Sequence, residues 1–330
     1  MEKSCDANTI LPGPSASPGR FGRTAYYIRE MFPPAVCVPA GLANFAAVYF
    51  SIQALDLTGP MTITLRSLAG ALTTLLFLLL LRVYDDLKDA DSDLRYATAG
   101  DPRYAYRSIV AGRVQLSDVS ALRSSLTALL VGINLPLGFP LPLLVFASAM
   151  VLFWLSYHWF FWPAIQRNLL LAFATHNAPL SLALSTYAAA VAMRDFGITR
   201  HFGTLSLVMV GLWLPISSWE VSRKIRHRDE ETEYVTYTKL LGYRAVLLPV
   251  AFVSVSTLCL IYVGRIIGLS WILPAVLVTA GGVLVSACIR FLLFPSAGNA
   301  KLQTYAELFL LAAWAGLPLS ILFHYGVRFR

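Results

Sequence analysis

Apolar runs of about 20 residues recur along almost the whole chain, separated by shorter polar stretches. A run of that length crosses a hydrocarbon layer about 30 Å thick as a helix. Nine spans follow from the pattern: 35–55, 62–84, 122–139, 141–162, 168–193, 203–222, 244–264, 269–293 and 303–325. The pattern therefore predicts an all-α integral membrane protein with about nine transmembrane helices forming a bundle. An odd number of crossings puts the two ends of the chain on opposite sides.

Composition supports lipid as the main solvent. Of 330 residues, 57% are hydrophobic and only 13% are charged, too few to cover a water-soluble surface. The formal charge of +8 comes from basic residues scattered between apolar segments, without a continuous stripe or binding module. Nucleic-acid binding is excluded on that ground. The basic residues instead report orientation. With Lys3, Arg20, Arg23 and Arg29 in the cytoplasm, so are Arg95, Arg103, Arg107 and Arg113, the segment from Arg223 to Arg244, and Lys301. The opposite loops carry fewer, mainly Arg194, Arg200 and Arg265.

Residues 1–30 are expected to form a flexible cytoplasmic tail, rich in Pro, Ser and Gly as far as Gly22 and lacking the apolar core of a cleaved signal peptide. Residues 31–330 form a single membrane domain. Cys5, Cys37, Cys259 and Cys288 show no CxxC spacing, so neither a zinc site nor a disulfide framework is indicated.

Two polar connections are longer than the rest, 85–121 and 223–243. Both fall on the same side in this topology, and both start at a charged helix end. They are the expected walls of one site. The second span runs straight into Asp85, Asp86, Asp89 and Asp93, which share a broad face if the helix continues. Like charges so placed repel one another unless a cation joins them. Magnesium suits this donor set, because it prefers carboxylate oxygens and takes further ligands from water and substrate phosphates. The bland alternative, a solvated acidic helix end, fares worse beside a membrane span, where charge is costly and usually functional.

The string from Asp85 to Asp93 resembles the first signature of the UbiA superfamily of intramembrane prenyltransferases. Arg107-Ser-Ile-Val-Ala-Gly-Arg113 resembles that superfamily's Arg-Pro-x-x-x-Gly-Arg element. Its second signature, an aspartate pair after the sixth span, falls on Trp219 to Arg226, where Glu220 takes the first acidic place. Arg223 and Lys224 stand where the next acid belongs, a departure that weakens the case for a second metal ion. The later acids Asp229, Glu230, Glu231 and Glu233 read as a solvated loop. Tyr237 to Arg244 resembles the stretch leading into span seven. Trp162 to Arg167 resembles a family element ending in Lys-Arg, with Gln166 in place of the lysine.

The resemblance implies a bundle around a central apolar chamber and an isoprenyl diphosphate held through Mg2+. The implied metal ligands are Asp85, Asp86, Asp89, Asp93 and Glu220, all but Asp93 also counted as catalytic. Arg107, Arg113, Arg167, Arg223, Lys224 and Lys239 are the implied cationic contacts to the substrate. His176 and Asn177, beside Pro179 in span five, and Asn44 in span one add polar groups inside the membrane. A satisfied structural role for His176 stands beside orientation of an acceptor. The aromatic set Trp154, Tyr157, His158, Trp159, Phe160, Phe161 and Trp162 reads first as an interface belt. The expected activity is prenyl transfer to an aromatic or other lipophilic acceptor. The alternatives are terpene cyclisation after the same ionisation step and, more distantly, a lipid or small-molecule carrier.

Overall fold

The computed structural model describes residues 19–56, 59–100, 102–137, 140–159, 162, 164–165, 168–198, 201–231 and 236–330. In chain order the helices are α1 (Arg20–Met31), α2 (Pro34–Asp56), α3 (Leu65–Thr98), α4 (Pro102–Ala105), α5 (Leu116–Asn134), α6 (Leu141–Trp159) and α7 (Leu169–Ala172). They continue as α8 (Ala178–Phe196), α9 (Phe202–Ser222), α10 (Tyr237–Leu241), α11 (Leu247–Ile267), α12 (Ile272–Leu293), α13 (Gln303–Trp314) and α14 (Gly316–Tyr325). Two three-residue strands, β1 (Met61–Ile63) and β2 (Val327–Phe329), pair in parallel.

This is an all-α membrane bundle. Among the described residues, eight helical segments are long and apolar enough to span a bilayer. The other expected span, 168–193, is helical from Leu169 to Phe196 but is broken by a π turn at Phe173–Asn177. Pro179 sits just after that turn and has no N–H to continue a regular ladder.

The ends of the bundle are fixed by contacts far apart in sequence. Tyr27 of α1 touches Asp86, whereas β2 pairs with β1 just before α3 begins. Leu65 and Asp86 are separated along α3 by about 32 Å at 1.5 Å per residue, roughly one bilayer core. Helix α1 and strand β2 therefore lie at opposite ends, which requires an odd number of crossings between them.

One expectation is corrected here. Residues 20–30, placed in the flexible tail, are helical and packed. Tyr27 is buried, and the Arg23 guanidinium pairs with Asp118 at the start of α5 at 2.7 Å. Most of the Pro, Ser and Gly that suggested a tail precede α1, and residues 1–18 lie outside the described ones.

Close helix packing rests on small residues. A Cβ on Gly70 of α3 would come within 2.8 Å of the Phe45 ring of α2. One on Gly211 of α9 would meet Leu260 of α11 at 2.7 Å, and the Gly211 carbonyl accepts a 2.6 Å bond from Ser256. Deeper in the bundle, Asn134 of α5 donates to Thr73 of α3 at 2.9 Å and accepts from Tyr187 of α8 at 2.6 Å. Three helices are thus tied by polar groups that have no water to turn to.

Candidate functional site

Helix α3 is 34 residues long, about 51 Å, so its last turns project beyond any hydrocarbon core. Thr64 starts it with a capping box to Ser67. No proline or glycine interrupts the charged turns from Asp85 to Asp93, so the acids stay on helix as the pattern predicted.

Their surroundings differ. Asp86 is buried at 3% exposure, accepts from the Tyr27 phenol at 2.6 Å and is clasped by Arg82 one turn earlier. Asp93 is also buried and forms an ion pair with Arg107. The Arg107 guanidinium lies 4.8 Å from the centre of the Tyr104 ring. Asp85 and Asp89 are partly open, with side chains 42% and 36% exposed. Between them lies the almost buried ammonium of Lys88, 2.9 Å from Asp85 and 4.0 Å from Asp89.

The expected single face of four metal-ligating aspartates is therefore split. Oxygens of Asp86 and Asp93 are already bonded to arginines, which leaves Asp85 and Asp89 as the accessible pair. Among the described residues, no three His, Cys, Asp or Glu side chains form a group arranged to hold a metal ion.

The end of α9 carries a second charged cluster. Glu220 is buried and accepts from Arg223 at 2.5 and 3.0 Å, while the Lys224 ammonium lies 2.7 Å away. Arg223 also stacks over the Trp219 ring, 5.1 Å from its centre. The positive charges of Lys88 and Arg82, and more weakly that of Arg223, act on Asp85. The charged ends of α3 and α9 are thus within electrostatic reach of each other.

The chain beyond α9 folds back on itself. Tyr237 donates from its backbone N–H to the Lys224 carbonyl at 3.0 Å, and the Arg226 N–H donates to Thr238 Oγ1 at 2.9 Å. Asp229 is 85% exposed and Glu230 is exposed, in keeping with a solvated acidic loop. Glu231 accepts from Thr236 at 2.5 Å, and Glu233 lies outside the described residues.

Other expected residues stand further off. Arg113 bonds to Glu30 at 3.3 Å and to the Tyr106 carbonyl, and it covers Tyr26, so it holds α1 and not the acids of α3. His176 joins the π turn to the Ser156 carbonyl at 2.7 Å and meets Thr175 Oγ1 at 2.8 Å, the satisfied structural role weighed for it. Asn177 is half-buried in the same turn, Asn44 is buried in α2, and Lys239 is exposed on α10. Gln166 and Arg167 lie outside the described residues. In the aromatic set, Trp154 and Trp162 are exposed as belt residues would be, whereas Tyr157 stacks on Tyr84 at 5.0 Å. A groove of about 470 Å³ beside Ser286, Arg290 and Tyr305 shares no residue with this site.

Three residues of the site escaped the sequence reading. Lys88 lies within the acidic string and Arg82 just before it, and both carried a readable signal, since each falls within about one turn of an aspartate. Tyr27 carried none.

No protein-family model matches the chain, and no curated protein sequence matches it. Solved structures do. The apo structure of a UbiA homolog from Aeropyrum pernix K1 superimposes with a TM-score of 0.60 at 17% identity, covering 86% of this chain and 97% of the other. A structure of digeranylgeranylglyceryl phosphate synthase in membranes aligns with a TM-score of 0.55 at 13% identity, covering 90% of this chain and 99% of the other. The class that the fold defines is thus a multi-pass membrane bundle of the UbiA type. The chain has that fold over nearly its whole described length.

Proposed function

We propose that the protein is an intramembrane prenyltransferase of the UbiA superfamily, which ionises an allylic isoprenyl diphosphate and passes the prenyl group to a lipophilic acceptor. The observation that carries this reading is the cluster of Asp85, Lys88 and Asp89 at the projecting end of α3 in a UbiA-type bundle. Both solved relatives agree with it, one as a UbiA homolog and one as a synthase named for a prenylated glyceryl phosphate.

In the proposed step the bond between the allylic carbon and the ester oxygen of the diphosphate breaks, and its electron pair leaves with the diphosphate. The resulting cation bonds to a nucleophilic acceptor carbon, which then gives up a proton. Arg223, Lys224 and Lys88 supply fixed positive charge to the departing diphosphate, and the apolar helices keep water from the cation. Preorganised charge of this kind need not reorient as the leaving group develops its own. Asp85 and Asp89 fit a divalent ion as a carboxylate pair one helical turn apart and partly open. A bound Mg2+ would neutralise phosphate oxygens, with substrate and water completing its shell. The basic residues around the site support a cytoplasmic location for it.

Product analysis tests the reading. Purified protein in detergent with Mg2+ and an allylic diphosphate is expected to yield a prenylated product only when an acceptor is added. A cyclic hydrocarbon or alcohol formed without acceptor would replace transfer with cyclisation. Absence of diphosphate release under both conditions would return the chain to the carrier class.

A further inference from the structure

We infer that the α9 half of the diphosphate site works without a metal ion: Glu220 orients Arg223 and Lys224, and these two cations contact the diphosphate directly. The inference rests on the prenyltransferase reading and goes beyond it by assigning how one wall of the site neutralises its substrate.

The Glu220 carboxylate is buried, and both oxygens are engaged: Oε2 accepts from Arg223 Nε at 2.5 Å, and Oε1 meets Arg223 at 3.0 Å and Lys224 at 2.7 Å. A divalent ion bound to Glu220 would have to displace one of these cations from a buried carboxylate or sit beside both. The first leaves a cation without its partner, and the second places three positive centres around one acid. The donor set at this position therefore does not fit a metal.

Among the described residues, this wall sets two cations against the one carboxylate of Glu220. Arg223 is stacked on Trp219 and held in a fork by Glu220. A guanidinium so fixed presents its outer N–H groups in the planar geometry that phosphate oxygens match. Lys224 adds a point charge one residue further on, and its position is steadied because its carbonyl accepts from Tyr237. The assignment makes Glu220 a positioning residue, whose removal loosens the two cations without removing a metal ligand.

The test counts bound ions and measures anion affinity, independently of turnover. Full-length protein in detergent is titrated with Mn2+ in the presence of inorganic pyrophosphate and followed by electron paramagnetic resonance, and pyrophosphate affinity is measured in parallel. The expected result is no more than one Mn2+ per chain, unchanged in Glu220→Gln. Lys224→Met, which leaves Glu220 paired with Arg223 and so disturbs folding least, is expected to weaken pyrophosphate about tenfold at unchanged Mn2+ count, the scale of one charged hydrogen bond. Lys224→Arg is expected to restore most of that affinity. Two Mn2+ per chain, with one lost in Glu220→Gln, would overturn the inference and leave the prenyltransferase reading standing. Failure of the unaltered protein to bind pyrophosphate with or without Mn2+ would overturn both.

Discussion

The phenol of Tyr27 donates a 2.6 Å hydrogen bond to Asp86, joining α1 to the charged end of α3 across 59 positions of sequence. The contact explains why Asp86 is not available as a metal ligand: it is buried between Tyr27 and Arg82 and braces the helix on which Asp85 and Asp89 stand.

Replacing Tyr27 with Phe removes a hydrogen bond to a buried charged group and is expected to cost about 1.5–3 kcal/mol, read as a lower melting temperature in detergent. A pH dependence follows. Burial, reinforced by the Asp86 charge, pushes the Tyr27 phenol well above its usual value. Its contribution is fully present below about pH 10, the usual tyrosine value, and is lost as the pH rises further, because the unfolded chain then loses the proton that the folded one keeps. The alkaline decline in melting temperature is expected to be shallower in Tyr27→Phe. An identical decline in both proteins would contradict the contact.

Gly112 has a φ of +70° in the turn that carries Arg107 and Arg113, and a Cβ there would meet nothing within 4 Å. Gly112→Ala therefore tests backbone conformation alone and is expected to cost about 1–2 kcal/mol in thermal stability. No change in stability would mean that the turn does not need this conformation.

The buried bonds among Thr73, Asn134 and Tyr187 make a separate prediction about the bundle. Tyr187→Phe leaves the Asn134 carbonyl oxygen without the phenol and is expected to destabilise the protein by about 0.5–2 kcal/mol, within the range found for bonds between membrane helices. Unfolding in increasing denaturing detergent measures it. Pyrophosphate affinity is expected to stay unchanged, since none of the three residues belongs to the charged end.

Much of this architecture was legible because lipid imposes a simple rule, that each crossing needs an apolar run of sufficient length. The charged end of α3 was legible for the same reason, as acids placed directly after a span. The division of those acids was not. Spacing put Asp85, Asp86, Asp89 and Asp93 on one face, but Asp86 and Asp93 are occupied by Tyr27 and Arg107, partners chosen by tertiary packing. The pairing of Met61–Ile63 with Val327–Phe329 was equally hidden, because three residues are too few to show alternation. The departure at Arg223 and Lys224, in contrast, was plain in the sequence, and the structure adds that both cations hold Glu220.

If the end of α3 serves the ionisation of an allylic diphosphate, pyrophosphate release must depend on its acids. The unaltered protein in detergent with Mg2+, an acceptor and a panel of allylic diphosphates is expected to release pyrophosphate. Asp89→Asn, which removes one carboxylate charge from the accessible pair with little change in shape, is expected to lower the rate at least about a hundredfold, the loss of roughly 2.7 kcal/mol of transition-state stabilisation. Equal rates from the two proteins, or no release from either, would contradict the account.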